Sequence, residues 1–296
     1  MYQTLPSRTR AYLVLLMAVV LGWLWLRTPA LAAFAERADG LLLIGVAALY
    51  LCSHLCRMMR LVLLTLDERA QAFPLIAAHT LTAFPSSFLP LKIGEILRLG
   101  AFFHVYDGRR KALAVWLAER FGDVLVIAAF IFALYLFNIE VPPAMRVVFV
   151  LFLVAVIGGL FALFAVAKVS VYINRHLVLS SHRPRGLALL RISHALRRLE
   201  QDIRKSVEGR LAAILLFSVL IWTVEILALS LFVNQFTRGE PDFASLFMSG
   251  LLASVLGGAG DAANIFGLYQ SLALVVLTII FLAATWVAAR YRLSRP

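Results

Sequence analysis

Charged side chains are scarce in this chain: Asp, Glu, Lys and Arg together make up only 15% of its 296 residues. Hydrophobic residues make up 62%, and the mean hydropathy is +0.90. This composition excludes an ordinary soluble core and is typical of an integral membrane protein. We therefore expect residues 1–296 to form a single all-α, polytopic membrane domain.

Cysteine and catalytic signatures are also scarce. Cys52 and Cys56 are the only cysteines, and without further ligands nearby they are better suited to packing than to binding a metal. The sequence has no glycine-rich phosphate loop, no His, Asp and Glu cluster with metal spacing, and no Ser-His-Asp arrangement. We therefore predict no catalytic residue, no metal site and no cofactor, and favour a transporter over an enzyme.

Six apolar segments are long enough to cross a bilayer, which takes about 17–25 residues. They are residues 11–33, 40–59, 111–137, 144–168, 211–234 and 264–289. Two more apolar segments, 73–102 and 242–262, contain residues that lower helix propensity, by about 1 kcal/mol for each glycine and 3 for each proline. We expect these two segments to be broken, re-entrant hairpins that do not cross the membrane.

Basic residues favour this arrangement over eight plain spans. With a cytoplasmic N-terminus and two re-entrant hairpins, the 28 Lys and Arg residues all fall on the cytoplasmic side except Arg27, Arg37, Arg146 and Arg238. Eight spans would instead place the basic residues 109–111 outside. The charges thus predict a multi-pass membrane protein with both termini in the cytoplasm.

The segments repeat in order. Residues 1–137 and 144–289 each read as span, span, broken hairpin and span, and the two halves enter the membrane from opposite sides. Such inverted-topology repeats are typical of transporters. The second half also contains a basic insertion, 168–210, with an amphipathic helix suited to the anionic lipids of the inner leaflet. It lacks the interleaved aromatic residues of a nucleic-acid site, and the alternatives are that it binds a partner protein or that it only sets the topology.

The first hairpin carries Lys92, Glu95 and Arg98 in apolar surroundings. Ionisable groups at membrane depth are candidates for function, since burying them in hydrocarbon is unfavourable. Glu95 and Arg98 are spaced to pair on a helix. Lys92 and Arg98 together leave excess positive charge, which suits the phosphate of an anionic headgroup. The alternative is an ion pair that only holds the hairpin in place.

Three more charged residues, Glu119, Arg120 and Asp123, begin the third span. Arg120 can reach Asp123, whereas Glu119 and Asp123 share a helix face and repel each other unless another cation joins them. The candidates for that cation are Arg57, Arg60 and Arg98. The group either lines a cytoplasmic vestibule or locks helices together.

Glu225 lies near the centre of the apolar segment 211–234, where a bare acid costs about 2.5–3.5 kcal/mol. It is a candidate for proton coupling, a partner for Arg57 or Arg98, or a neutral acid hydrogen-bonded to a neighbouring helix. The second hairpin has a turn of glycines and polar residues that either binds an anion through its backbone amides or, for the glycines, only permits tight helix packing. Its members are Gly257, Gly258, Gly260, Asp261 and Asn264.

Three motifs resemble the lysylphosphatidylglycerol synthase transmembrane, or flippase-like, family. They are Arg57-Met-Met-Arg60, Phe88-Leu-Pro-Leu-Lys-Ile-Gly-Glu-Ile-Leu-Arg98 and Ala118-Glu-Arg-Phe-Gly-Asp123. A late glycine turn of the family is altered here, because Leu256 and Ala263 stand at its proline and glutamate positions. The resemblance covers the membrane part of the family, without the soluble transferase domain of some relatives.

The resemblance implies a transporter that moves a lipid or lipid-linked headgroup between leaflets of the inner membrane. The cargo is an anionic phospholipid, a glycolipid, a polyprenyl-phosphate sugar or a hopanoid-type lipid, and the sequence does not choose among them. One alternative is an intramembrane lipid-modifying transferase with Glu95 or Glu225 as general base. Another is an accessory subunit that works with envelope-biosynthesis proteins.

Overall fold

Helices account for all regular structure in the described part of the chain. The computed structural model describes residues 39–88, 93–137, 143–180, 184–234 and 261–290, part of 11–32, and most side chains in these ranges. No strand occurs in the ranges just given. The all-α prediction is therefore confirmed.

We number the longer helices in chain order. They are α1 (Gly40–Leu64), α2 (Ala72–Phe88), α3 (Ile93–Val105), α4 (Arg109–Leu136), α5 (Pro143–Ser180), α6 (Pro184–Val207), α7 (Leu211–Asn234) and α8 (Asp261–Arg290), with a short 3-10 helix at Leu66–Gln71 between α1 and α2. Pro143 and Pro184 are the first residues of their helices, where the missing N–H removes no helical hydrogen bond.

Among the described residues, two of the predicted spans are helices long and apolar enough to cross a membrane, by length and composition. They are Gly40–Leu64 and Leu211–Val233, and only 22% of the most apolar window of each is buried. Most residues of these windows are therefore exposed or only partly buried, unlike those of a buried core helix. The count of six spans stays a prediction.

The first broken segment forms two helices, α2 and α3, which pack against each other. Residues 89–92, which include Pro90, connect them and lie outside the described residues. A pair of short packed helices is what the broken-hairpin prediction requires, although its depth in a membrane stays a prediction. The second hairpin, 242–262, lies outside the described residues except for the first two residues of α8.

Two compact units divide the chain. One comprises Met1–Leu51 and Leu227–Pro296, and the other comprises Cys52–Ile226. In the first unit the Tyr269 ring makes edge contacts with Phe232 and Tyr50, at centroid distances of 5.4 and 6.3 Å. The predicted repeats, 1–137 and 144–289, stay a prediction.

The second unit has an apolar core to which α1, α2, α3, α4 and α7 all contribute. Leu61, Phe102 and Ala118 are fully or almost fully buried there. Each is adjacent to, or one helical turn from, a charged residue: Leu61 follows Arg60, and Ala118 precedes Glu119. Packing of this core thus fixes the positions of the charged side chains beside it.

The predicted insertion, 168–210, begins inside a helix, since α5 continues without a break to Ser180. Helix α6 then ends before Gly209, which adopts a left-handed φ of 73° that a glycine tolerates without strain. The apolar face of α6 is divided. Ile203 packs against the protein core, whereas Ile192 is 58% exposed. Only the first part of this helix thus presents apolar side chains that a membrane surface would cover.

Candidate functional site

Eight ionisable side chains, drawn from α1, α3, α4 and α7, lie close together inside the second unit. We call them the charged cluster: Arg57, Arg60, Glu95, Arg98, Glu119, Arg120, Asp123 and Glu225. All eight are predicted site residues, and helix packing brings them together from positions as far as 168 residues apart.

Arg60 is the centre of the cluster, and its side chain is completely buried. Its Nη1 donates to Asp123 Oδ1 at 2.5 Å, and its Nη2 donates to Glu119 Oε1 at 2.9 Å. The guanidinium therefore lies between the two carboxylates that share a face of α4. This confirms the expectation that a cation from a neighbouring element joins Glu119 and Asp123, and it selects Arg60.

Glu119 holds a second buried arginine as well. Arg98 on α3 donates from Nη2 to both carboxylate oxygens of Glu119, at 2.7 and 2.9 Å. The same guanidinium lies 5.5 Å from the ring centroid of Phe102, within the range of a cation–π contact. Arg98 is only 2% exposed, so its main partner is a buried carboxylate on another helix.

Glu95, the partner that the sequence suggested for Arg98, is a weaker one. The Glu95 Oε1 to Arg98 Nη1 distance is 4.0 Å, at the limit of an ion pair. Glu95 lies closer to Arg120, at 3.1 Å, and Arg120 also donates to Asp123 at 3.4 Å, as its i to i+3 spacing predicted. Arg120 is 27% exposed, so this is the more accessible edge of the cluster.

Glu225 pairs with Arg57 on α1. Arg57 Nη2 donates to Glu225 Oε1 at 2.6 Å, and the Ser53 hydroxyl donates to the same oxygen at 3.1 Å. Of the three interpretations of Glu225, the structure therefore favours a counter-ion for Arg57. The Arg57–Glu225 pair is partly accessible, with 14% and 21% of the two side chains exposed.

The cluster is balanced in charge. It contains four arginines and four carboxylates, and each arginine has an acidic partner within 4.0 Å. Glu119 neutralises Arg98 among the described side chains, and the expected excess of positive charge, which counted Lys92 with Arg98, stays a prediction. Lys92, the other cation in that expectation, lies outside the described residues.

Two neutral residues of α7, Ser218 and Trp222, complete the cluster. The Ser218 hydroxyl accepts from Arg60 Nη1 at 2.7 Å and donates to the Ile214 carbonyl, while Trp222 Nε1 donates to Asp123 at 3.3 Å. The sequence analysis did not select either residue. Their spacing gives a faint signal, since Ser218, Trp222 and Glu225 follow one another at intervals of four and three on one helix face.

Gly122 allows α4 and α7 to approach each other at this point. A Cβ atom placed on Gly122 would lie 2.8 Å from Ser218 Oγ and 3.8 Å from Ser218 Cβ. The position therefore excludes larger side chains while Ser218 keeps its hydroxyl in contact with Arg60.

We expect Gly122→Ala to destabilise the protein by about 1–3 kcal/mol, because the new methyl group overlaps with Ser218 Oγ. Ser218→Ala removes that oxygen, so adding it to Gly122→Ala should cost less than in the wild-type background. Equilibrium unfolding of the two single variants and the double variant measures this coupling. Strictly additive effects would contradict the close approach of α4 and α7.

A buried histidine also lies near the cluster and was not selected from the sequence. His79 on α2 is 2% exposed, and its ring centroid lies 5.8 Å from that of His54 on α1. Within the described part of the chain, neither ring nitrogen of His79 has a hydrogen-bond partner. Buried polar groups of this kind are rare, since leaving one unpaired costs about 1–3 kcal/mol.

The structure describes no contact between the charged cluster and the predicted residues of the second hairpin. Asp261 and Asn264 belong to α8, but their side chains lie outside the described part, as do Gly257, Gly258 and Gly260 altogether. Among the side chains that are described, no group of three or more His, Cys, Asp or Glu residues could hold a metal ion.

The fold and the cluster define an all-helical protein with a buried ion-pair network. Comparison of the chain with protein-family models, curated proteins and solved structures finds no match. The resemblance to the lysylphosphatidylglycerol synthase transmembrane family therefore rests on the sequence motifs alone.

Proposed function

We propose that this chain is a flippase-like lipid transporter of the inner membrane. In this proposal six spans and two re-entrant hairpins form an inverted-topology repeat, and both termini are cytoplasmic. The charged cluster lies on the route of the lipid headgroup. The cargo is an anionic or lipid-linked molecule with a phosphate, and its tails stay in the bilayer.

One observation carries this proposal: the helices of the cluster bury charges and expose apolar side chains. Arg60 and Glu119 are completely buried. On the same helices α1, α4 and α7, the apolar residues Leu55, Phe132 and Leu216 are 51%, 61% and 58% exposed. Soluble proteins show the opposite distribution, whereas ionisable groups facing a bundle interior are typical of transport pathways in membranes.

The balance of charge suggests how the cluster acts. In the described conformation both carboxylate oxygens of Glu119 accept hydrogen bonds from Arg98. A phosphate presents oxygens to a guanidinium in a similar geometry, so a headgroup can replace Glu119 as the partner of Arg98. Exchange of partners would remove one of the two ion-pair links between α3 and α4, the other being Glu95–Arg120. The cluster is then a closed gate, and the headgroup opens it by competition.

The geometry gives less support to the other two functions. A general base needs an available carboxylate, but Glu225 accepts hydrogen bonds from Arg57 and Ser53, and Glu95 lies 3.1 Å from Arg120. Proton coupling through Glu225 is less favoured for the same reason. An accessory subunit for envelope polysaccharide assembly would not need the charged cluster. If substitutions in the cluster abolish lipid transport, they argue against that function.

We expect the purified full chain, reconstituted in vesicles, to move a head-labelled anionic phospholipid between leaflets without changing its mass. Arg98→Ala should abolish this exchange because it removes the guanidinium proposed to bind the phosphate, and Arg98→Lys should retain part of it. Dithionite quenching measures the exchange, and thermal unfolding measures folding. Arg110→Ala is the matched control, since Arg110 is 47% exposed and lies outside the cluster.

One outcome would reject the role of Arg98 as the phosphate ligand, and another would reject the transporter itself. If Arg98→Ala unfolds the protein while Arg98→Lys exchanges lipid normally, Arg98 is a structural counter-ion. If mass spectrometry finds a new covalent lipid product that Glu95→Gln abolishes, the chain is a transferase.

A further inference from the structure

A polar cavity of about 620 Å³ lies in the second unit, apart from the charged cluster. It forms where α4 begins, near the end of α6 and beside the 3-10 helix. Its lining is almost wholly charged and consists of Asp67, Glu68, Gly108, Arg109, Arg110, Lys111, Asp202 and Lys205. A volume of this size is within the range of small-molecule sites.

Part of this lining already has partners. Lys111 donates to Asp67 and, at 2.9 Å, to Ser206, and Arg110 Nε donates to Asp202 at 2.5 Å. These contacts join the start of α4 to the 3-10 helix and to the end of α6. These paired side chains form the walls of the cavity, and because their charges are neutralised by each other they are poor partners for a ligand.

Three lining residues are different. Arg109, Lys205 and Glu68 are exposed and take part in no side-chain hydrogen bond or ion pair with any described residue. Two cations and one anion thus line a single cavity, and none of the three takes part in the ion pairs that form its walls. Glu68 is moreover at the one residue of the 3-10 helix whose backbone is not helical, with φ −130° and ψ 62°.

We propose that this cavity binds a phosphate-bearing ligand that also carries an amine. Arg109 and Lys205 hold the phosphate through charge-assisted hydrogen bonds, and Glu68 accepts a hydrogen bond from the ammonium group. The phosphate and amine chemistry is that of a phosphoethanolamine group, which occurs on a lipid headgroup or as a soluble molecule. This inference concerns a site separate from the proposed transport route, so failure of lipid exchange would not affect it.

The experiment uses the full chain in detergent and soluble phosphoethanolamine, with inorganic phosphate as the comparison. By titration calorimetry, phosphoethanolamine should bind about tenfold more tightly than phosphate, which is the contribution of one charge-assisted hydrogen bond. Glu68→Gln should remove that preference without weakening phosphate binding, because it also removes a negative charge that repels the phosphate. The double variant Arg109→Ala/Lys205→Ala should weaken binding of both compounds by about tenfold or more.

The matched control is Arg191→Ala/Arg197→Ala, which removes two exposed cations of α6 that do not line the cavity. An equal loss of binding in this control would overturn the site in favour of a general effect of net charge. The site would be overturned completely by two negative results together. Neither phosphoethanolamine nor phosphate would bind, and the protein would not retain phosphatidylethanolamine in preference to phosphatidylglycerol from mixed nanodiscs. If the protein retains phosphatidylethanolamine and Glu68→Gln abolishes that retention, the ligand is the lipid headgroup. If only soluble phosphoethanolamine binds, the ligand is a soluble molecule.

Discussion

Glu119→Gln is expected to lower the free energy of unfolding by about 3–5 kcal/mol, which is the usual effect of removing one partner from a buried ion pair. Glu119 is completely buried and accepts hydrogen bonds from both Arg60 and Arg98. The amide keeps the shape of the side chain but removes its charge. Arg98 is then left with Glu95, at 4.0 Å, as its remaining carboxylate partner. Equilibrium unfolding of the purified protein in mixed micelles measures the loss.

Two further variants show whether the loss comes from unpaired buried charge. Asp202→Asn is the matched control, because Asp202 pairs with the half-exposed Arg110, and it should cost less than about 1 kcal/mol. Adding Arg98→Gln to Glu119→Gln removes a guanidinium that has lost its main partner, so the double variant should recover about 0.5–3 kcal/mol relative to additivity. A loss below 1 kcal/mol for Glu119→Gln would contradict the ion-pair network.

Arg60→Lys is expected to cost about 2–4 kcal/mol, although the charge is preserved, because each lost hydrogen bond to a charged group contributes about 1.5–3 kcal/mol. Arg60 uses the two ends of its guanidinium on Asp123, Glu119 and Ser218 together. An ammonium group is a single point of charge on a shorter, flexible side chain. It cannot replace a planar fork that contacts two helices.

Arg110→Lys provides the comparison for this second result. Arg110 makes one side-chain contact, to Asp202, and is 47% exposed, so a lysine there should change stability by less than about 1 kcal/mol. The difference between the two substitutions isolates the geometry of the guanidinium from its charge. Equal and small effects at both positions would show that Arg60 contributes only charge to the cluster.

The sequence by itself determined that this protein is helical and which side chains are unusual. Composition and apolar segment length predicted the two described helices that are long and apolar enough to cross a membrane, and the prolines near Pro90 predicted a broken hairpin where the structure has α2 and α3. Charged residues in apolar surroundings identified the members of the cluster. The i to i+4 spacing of Glu119 and Asp123 even required a cation between them. All of these signals are local, so they can be read without knowing how the helices pack.

Only the tertiary structure decided which of these residues are partners. Arg98 pairs mainly with Glu119, 21 positions along the chain, rather than with Glu95 three residues away, and Glu225 finds Arg57. The strength of an ion pair depends on distance and burial, which the rotation and approach of packed helices set together. Gly122 controls one such approach. For that reason the sequence suggested excess positive charge at Arg98, whereas the packed helices supply the buried carboxylate that neutralises Arg98.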